Sequence, residues 1–333
     1  MGNREPMPEI LEQGVLFSMK PYAFGVDIGG TTVKIGFFSS DGRFIEHWEI
    51  PTRKEENGKN VLPDISRAIM KKLREYNLTI ADLEGVGVGV PGPVVQGGIV
   101  NKCVNLGWGI VDVRAELSDL LEDVHVEVAN DANVAALGEQ WKGGGKGHEN
   151  VVMVTLGTGV GGGIVIGGRI LPGVHGAAGE IGHMKVKDGE TAVCGCGKKG
   201  CLEQYSSATG VVRLAKIALA DNPDISTPLR QCDPLEARNV FDCAKAGDAL
   251  SLEIVDEVGK MLGEAIAHIT CVLDPDVVVI GGGVSRAGQI LLDAVLKHYT
   301  PAAFHASRHS EFKLAELGND AGMYGAVRMI LNK

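Results

Sequence analysis

Three thiols and one imidazole stand close together in this chain. His183 ends the run Gly179-Glu180-Ile181-Gly182-His183, and Cys194-Gly-Cys196-Gly-Lys-Lys-Gly-Cys201 follows eleven residues later. A closed tetrahedral Zn²⁺ site takes four thiolate or imidazole ligands, and the glycines between these cysteines let the loop fold back on itself. The segment therefore reads as a structural zinc site with ligands His183, Cys194, Cys196 and Cys201; a redox dithiol is the competing reading of the Cys-x-Cys pair. Two carboxylates lie in the same stretch. Glu180 precedes His183 by three residues and Glu203 follows Cys201 by two, so one metal ion would fix both acids in space.

A second chemistry is carried by glycine. The chain has 47 glycines in 333 residues, about twice the usual share, clustered at 25–36, 85–98, 157–168 and 281–283. Two clusters form turns between β-branched runs, Gly29-Gly30-Thr31-Thr32 and Gly157-Thr158-Gly159, and the backbone N–H groups and hydroxyls of such turns can cradle phosphates. Asp27, at the end of the strand before the first turn, suits Mg²⁺ held through water, or else simply forms the turn. By its letters, the run from Gly157 to Gly162 matches a dinucleotide fingerprint. That loop must open into a helix, however, and residues 163–168 read as another strand. The chain has no G-x-x-x-x-G-K-[ST] sequence either.

Composition sets the class. A length of 333 residues with 44% hydrophobic content predicts a soluble globular protein of two domains. Seven cysteines, four of them isolated, do not make a disulfide framework and point to a reducing cytoplasm. A formal charge of −10 without a basic stripe argues against nucleic acid as a partner. No apolar run reaches membrane-spanning length, and residues 1–20 read as a mobile leader without a signal-peptide pattern.

The elements that must position these groups follow from periodicity. Strands are expected over 22–28, 33–38, 44–50 and 85–90, with a helix over 61–76. Helices over 112–121 and 131–141 flank a strand over 124–128. The second half repeats the plan: strands over 151–156 and 161–166 and near 169–170, then the cysteine insert. Helices over 208–220, 240–246 and 249–273 come next, followed by a strand over 277–280 running into Gly281-Gly282-Gly283. A helix over 289–298, a strand over 311–314 and a helix over 321–330 complete it. The implied architecture is two βββαβα-type halves facing each other across a cleft.

Taken together, Asp27-Ile-Gly-Gly-Thr-Thr-Val-Lys34, Gly89-Val-Pro-Gly92, Asn105-Leu-Gly-Trp108, Asn130-Asp-Ala-Asn133, Leu156-Gly-Thr-Gly-Val-Gly-Gly-Gly163, the Glu180/His183 segment and the cysteine loop resemble the ROK family of repressors, open reading frames and sugar kinases. The resemblance covers about residues 22–328 and is strongest to the bacterial glucokinase branch. It implies an α/β, actin-like ATPase fold with one domain of residues 21–131 plus 318–333. The other domain would span 132–317 and carry the zinc loop 183–201. It also implies an ATP-dependent phosphotransferase acting on the 6-hydroxyl of a hexose, with Asp131 as catalytic base.

Carried over residue by residue, the resemblance implies that Gly92, Asn105, Asn130, Asp131, Glu180, His183 and Glu203 meet the sugar. His183 would ligate zinc with one ring nitrogen and face the sugar with the other. Asp27, Gly29, Gly30, Thr31, Thr32, Gly157, Thr158, Gly159, Gly281, Gly282 and Gly283 would meet MgATP. A homodimer or homotetramer in the cytoplasm is the implied setting. Other hexoses, N-acetylhexosamines and a polyphosphate donor remain open. A sugar-responsive repressor is the rival of another class; with about twenty residues ahead of the first strand, a helix-turn-helix domain is not expected.

Overall fold

The computed structural model describes residues 19–332. The leader expected over residues 1–20 lies outside them except for Met19 and Lys20, and the Lys20 backbone N–H donates to Glu84 Oε2 at 2.8 Å.

Two five-stranded sheets carry the chain. The first uses β1 (Tyr22–Ile28), β2 (Thr32–Ser39), β3 (Phe44–Pro51), β4 (Leu83–Val90) and β5 (Val126–Asn130) in the order β3-β2-β1-β4-β5. The second uses β6 (Val151–Leu156), β7 (Val160–Ile166), β8 (Arg169–Ile170), β9 (Val277–Gly281) and β10 (Glu311–Leu314) in the order β8-β7-β6-β9-β10. The plan is the same twice: two antiparallel pairings, then two parallel ones. Parallel neighbours need crossover helices. In the first sheet these are α1 (Val61–Glu75) and α2 (Val113–Leu120), and α3 (Asp131–Lys142) then leads to the second sheet. The second half uses α4 (Ala208–Asp221), α5 (Ala237–Lys245), α6 (Ala249–Leu273) and α7 (Gln289–Ala302), and α8 (Ala321–Leu331) closes the chain. This is the expected doubled α/β plan.

Each half packs one face of its sheet into its own core. Phe24, Val26, Ile35 and Phe37 meet Ile65, Ile69 and Leu117 in the first; Val152, Val154, Val278 and Ile280 meet Val258, Leu262 and Val295 in the second. Removal of such apolar surface from water is the main stabilising term, at about 25 cal/mol per Å². Helices α3 and α8 cross at backbone contact between the sheets. A Cβ added at Gly325 would lie 1.6 Å from Val134 O, and one at Gly138 2.2 Å from Ala321 O. Likewise Gly87 leaves room for Ala326 O, seating α8 on the first sheet.

Several boundaries differ from the periodicity, helix α7 running on to Ala302 and strand β4 starting at Leu83. The strand expected at 124–128 runs from Val126 to Asn130, because its parallel register with β4 continues to Val90↔Asn130, while Glu122 and Asp123 take left-handed turn conformations ahead of it. Helix α5 starts at Ala237 rather than 240, where Glu236 and Asn239 form a capping box. Residues 94–112 also fold into a small three-stranded sheet that the periodicity did not show.

Candidate active site

The floor of the cleft is set by strand ends. Asp27 sits one residue before the end of β1, paired with Gly89 on β4 and Lys34 on β2. Burial against the sheet pushes its carboxyl up to about 6; the charge of Asp131 adds to this, and Lys34 opposes it. The first glycine turn follows directly. Gly29 N–H donates to Thr32 O at 2.9 Å, and Thr52 Oγ1 donates to Gly29 O at 2.7 Å. Asp27, Gly29, Thr32, Asp131, Gly282 and Gly283 line one cavity of about 670 Å³ between the two sheets. Lys34 reaches the same cavity, where its Nζ donates to Asp320 Oδ1 at 2.7 Å and Asn319 O at 3.1 Å.

Asp131 opens helix α3, and Asn130 is its N-cap. Asn130 Oδ1 accepts from Ala132 N–H at 3.0 Å and Asn133 N–H at 3.3 Å. Its Nδ2 donates to Gly92 O at 3.2 Å and to Asp131 Oδ1 at 2.9 Å. Gly92 needs its left-handed conformation there, with a φ of 98°, and any Cβ would strike Lys102 O. Asp131 Oδ1 also accepts from Ala132 N–H at 2.8 Å, and Oδ2 makes no hydrogen bond among the described residues. The surrounding protein pushes the Asp131 carboxyl above the ordinary range, with Glu180 adding a like charge, although backbone and Asn130 donors pull it down. The result is a carboxylate held by one oxygen at the wall of the cavity, with the other free of hydrogen bonds among the described residues. Asn105 stands exposed on the turn Val104–Leu106, its Cβ beside Gly30. Trp108 is a core residue, buried with its Nε1 donating to Gly58 O at 3.2 Å.

The four expected metal ligands converge. Their ligand atoms all lie within 4.8 Å of one another, with His183 Nδ1 to Cys194 Sγ at 3.8 Å and Cys196 Sγ to Cys201 Sγ at 3.6 Å. Bond lengths of about 2.3 Å to sulfur and 2.0 Å to nitrogen give tetrahedral edges of about 3.5–3.8 Å, so the donor set fits Zn²⁺. Nδ1 faces the thiols, which turns Nε2 outward to within 4.0 Å of Glu180 Oε2. Burial pushes the Cys194 thiol up to about 12, so metal capture has to displace its proton.

Glu203 is placed where both halves of this chemistry meet. Its Oε1 accepts from Cys194 Sγ at 3.4 Å and its Oε2 from Val160 N–H at 3.2 Å, next to the second glycine turn. Ala208 N–H then donates to Gly157 O, and Thr209 Oγ1 to Thr158 O, both at 2.8 Å. The segment leaving Cys201 thus holds residues 157–160 at three points.

Sequence reading missed a second and larger cavity. About 1100 Å³ opens beside the first cavity and shares Gly283 and Arg286 with it. Val212, Leu235, Phe241 and Val284 give it apolar walls, and Thr158, Lys216 and Arg286 add polar groups. Gly283 opens to it freely, since a Cβ there would meet nothing within 4 Å, whereas Gly282 is pressed onto Leu156 with a φ of 85°. Gly281 ends strand β9 opposite Thr155. The only trace of this wall in the sequence is the amphipathic pattern of α4 and α5, which any surface helix shares. Among the expected nucleotide residues, Gly30, Thr31, Gly157, Gly159 and Gly281 line neither cavity.

Two sheets of identical order around a polar cleft, with the chain crossing between them on α3 and before α8, define an actin-like ATPase fold, here with a Cys₃His insert in the second half. The chain belongs to the ROK family, whose sequence model matches residues 23–333. A glucokinase from Halalkalibacterium halodurans is 43% identical over 90% of this chain and 92% of its own length. A glucokinase from Thermotoga maritima is 35% identical over 92% and 96%. The crystal structure of a ROK family glucokinase from Streptomyces griseus in complex with glucose and AMPPNP superposes with a TM-score of 0.71 at 31% identity, covering 92% of this chain and 98% of that one.

Proposed function

We propose that this protein is an ATP-dependent glucokinase that transfers the γ-phosphate of MgATP to the 6-hydroxyl of glucose. The observation that carries the reading is the cavity that Asp131 shares with the first glycine turn, with Asp131 Oδ2 free of hydrogen bonds among the described residues. The three relatives above, a glucokinase each, support the reaction and the sugar.

In this reading the apolar cavity beside Gly283 takes the adenosine, and the turns at Gly29–Thr32 and Gly157–Gly159 hold the phosphates by backbone N–H groups. An apolar wall of this kind favours a nucleotide over polyphosphate, which offers nothing to bury. Mg²⁺ would neutralise charge on the transferred phosphate, and Asp27 would hold it through water. Glu180 and His183 Nε2 meet sugar hydroxyls from the zinc side, with Asn105 and Gly92 opposite. Once Cys194 is a thiolate it no longer donates to Glu203 Oε1, and that oxygen becomes free for a hydroxyl.

The sugar O6 attacks the γ-phosphorus as the bond to the β,γ-bridging oxygen breaks, and the O6 proton passes to Asp131 Oδ2. A raised carboxyl pKa strengthens that base, while Asn130 and the Ala132 N–H fix its direction. Asn130 is spent on holding Asp131 and Gly92, so we assign it to positioning as much as to the sugar. Residues 21–131 with 318–333, and 132–317, are read as the two closing lobes of a cytoplasmic homodimer or homotetramer. No helix among the described residues is long and apolar enough to cross a membrane.

A coupled ADP-release assay with MgATP and a panel of hexoses and N-acetylhexosamines tests the reading, with Asp131→Ala as control. Turnover on glucose that disappears in the variant supports it. Preference for another sugar keeps the mechanism and replaces the substrate, and silence across the panel removes the kinase.

A further inference from the structure

Glu139 is fully buried, at 0% exposure, and the chemistry above does not use it. It lies on α3, two turns beyond Asp131. Its Oε2 accepts from Gly144 N–H at 2.9 Å and Glu316 N–H at 3.0 Å, and its Oε1 from Leu317 N–H at 2.8 Å. Among the described residues it has no cationic partner. Three backbone donors aimed at one carboxylate satisfy it as an anion, and such charge-assisted bonds are about twice as strong as neutral ones. Glycines at 143 and 144 make the approach feasible, because a Cβ at Gly143 would lie 1.9 Å from Oε2 and one at Gly144 2.4 Å from Leu314 O.

The places joined are what matters. The chain passes between the two sheets twice, first along α3 and then through residues 315–320, which lead from β10 to α8. Glu139 fastens the second crossing to the end of the first. The other end of residues 315–320 is held from the first sheet, where Lys34 bonds Asn319 and Asp320, and Asp27 abuts Gly322. Glu316, Gly318 and Asn319 line the cleft itself.

We infer that Glu139 is a hinge clamp: its carboxylate locks the two interlobe crossings together, so that the helix carrying Asp131 and the cleft segment 316–320 turn as one body when the lobes close. It is a positioning residue for the sugar kinase reading, on which this inference rests. An amide cannot replace it. Glutamine offers one acceptor oxygen and an NH₂ that would face backbone N–H groups. With the clamp loosened, the lobes still bind sugar in the open state but close off register, and a misplacement of about 1 Å can cost about 10²-fold in rate.

The test compares Glu139→Gln with the unaltered protein in three readouts: kcat and KM with glucose and MgATP, glucose binding by calorimetry without nucleotide, and the small-angle scattering change on adding glucose. The expected result is a kcat lower by about 10–100-fold, glucose affinity within about threefold, and a reduced compaction on glucose, all at temperatures where melting shows the variant folded. Leu317→Pro provides an independent variant, since it deletes one donor to Glu139 at a φ of −80° that proline tolerates. It should move kcat in the same direction, and it carries the comparison if Glu139→Gln is insoluble. A kcat within twofold of the unaltered protein, or normal compaction alongside a lower melting temperature, would show the carboxylate to be merely structural and overturn the clamp. Failure of the unaltered protein to turn over any hexose is a separate result that removes the kinase reading. The clamp is then judged by compaction with AMPPNP, which must differ between the two proteins.

Discussion

Glu203 and Val160 are joined by a hydrogen bond of 3.2 Å that ties the metal loop to the second glycine turn. The same carboxylate accepts from Cys194, so a residue two positions after an expected metal ligand touches both the cysteine cluster and the turn proposed to hold phosphate. In the proposed reading, sugar-side and nucleotide-side geometry are therefore coupled through residues 201–209.

Thr209→Val isolates that coupling without touching the metal. The substitution is close in volume and removes the bond from Oγ1 to Thr158 O together with the one between Oγ1 and Ser207 Oγ. A neutral hydrogen bond contributes about 0.5–1.5 kcal/mol, so KM for MgATP should rise about two- to tenfold while KM for glucose stays put. Steady-state kinetics with each substrate varied in turn decides it, and an equal rise in both constants would count against selective support of the turn.

Metal removal should act on both sides at once. Chelation, or Cys196→Ser, is expected to lower activity about 10–100-fold and to lower the melting temperature. Metal content by elemental analysis alongside a melting curve and the ADP assay checks this. Full activity in metal-free protein would refute the account of Glu180, His183 and Glu203.

Asp131→Asn keeps the helix opening, because Asn130 supplies the cap and an asparagine oxygen can still accept from Ala132 N–H. It removes the proton acceptor. We expect kcat to drop about 10²–10⁴-fold with glucose affinity nearly unchanged. Equal loss in kcat and affinity would make Asp131 a binding residue instead.

Asp27 gives the protein a pH signature. Its folded pKa of about 6 lies above the ordinary 3.8, so between those values the folded chain holds a proton that the unfolded chain has released. Stability is then greatest below the lower value and falls as pH rises through about 6, by at most about 3 kcal/mol at 1.36 kcal/mol per unit, and by less where water enters the cleft. Thermal unfolding without divalent metal should show the Asp27→Asn variant gaining on the unaltered protein between pH 5 and 7.5. A constant difference across that range would exclude the shift.

The α3–α8 crossing predicts a stability loss far from any ligand. Gly325→Ala would place a Cβ 1.6 Å from Val134 O, and overpacking of this kind costs about 1–3 kcal/mol or more. A melting temperature that does not fall would mean the helices separate without strain.

Much of this protein is determined locally and could be read from residue order. Alternation and 3.6-residue periodicity fix the strands and helices. The spacing of His183, Cys194, Cys196 and Cys201 brings four thiol and imidazole donors together through a short glycine loop, whereas residue order left either Asn130 or Asp131 to cap α3 and the structure gives the cap to Asn130. Other features are decided only in three dimensions. The apolar cavity is assembled from Val212, Leu235, Phe241 and Val284, which come from separate elements and carry no mark in the sequence beyond the amphipathic pattern of α4 and α5. The clamp at Glu139 joins residues 177 and 178 positions apart in the chain. Trp108 turns into the core because Gly58 O lies within reach of its indole N–H. Hydrogen-bond partners and cavity walls depend on which surfaces pack, and packing is a property of the folded chain as a whole.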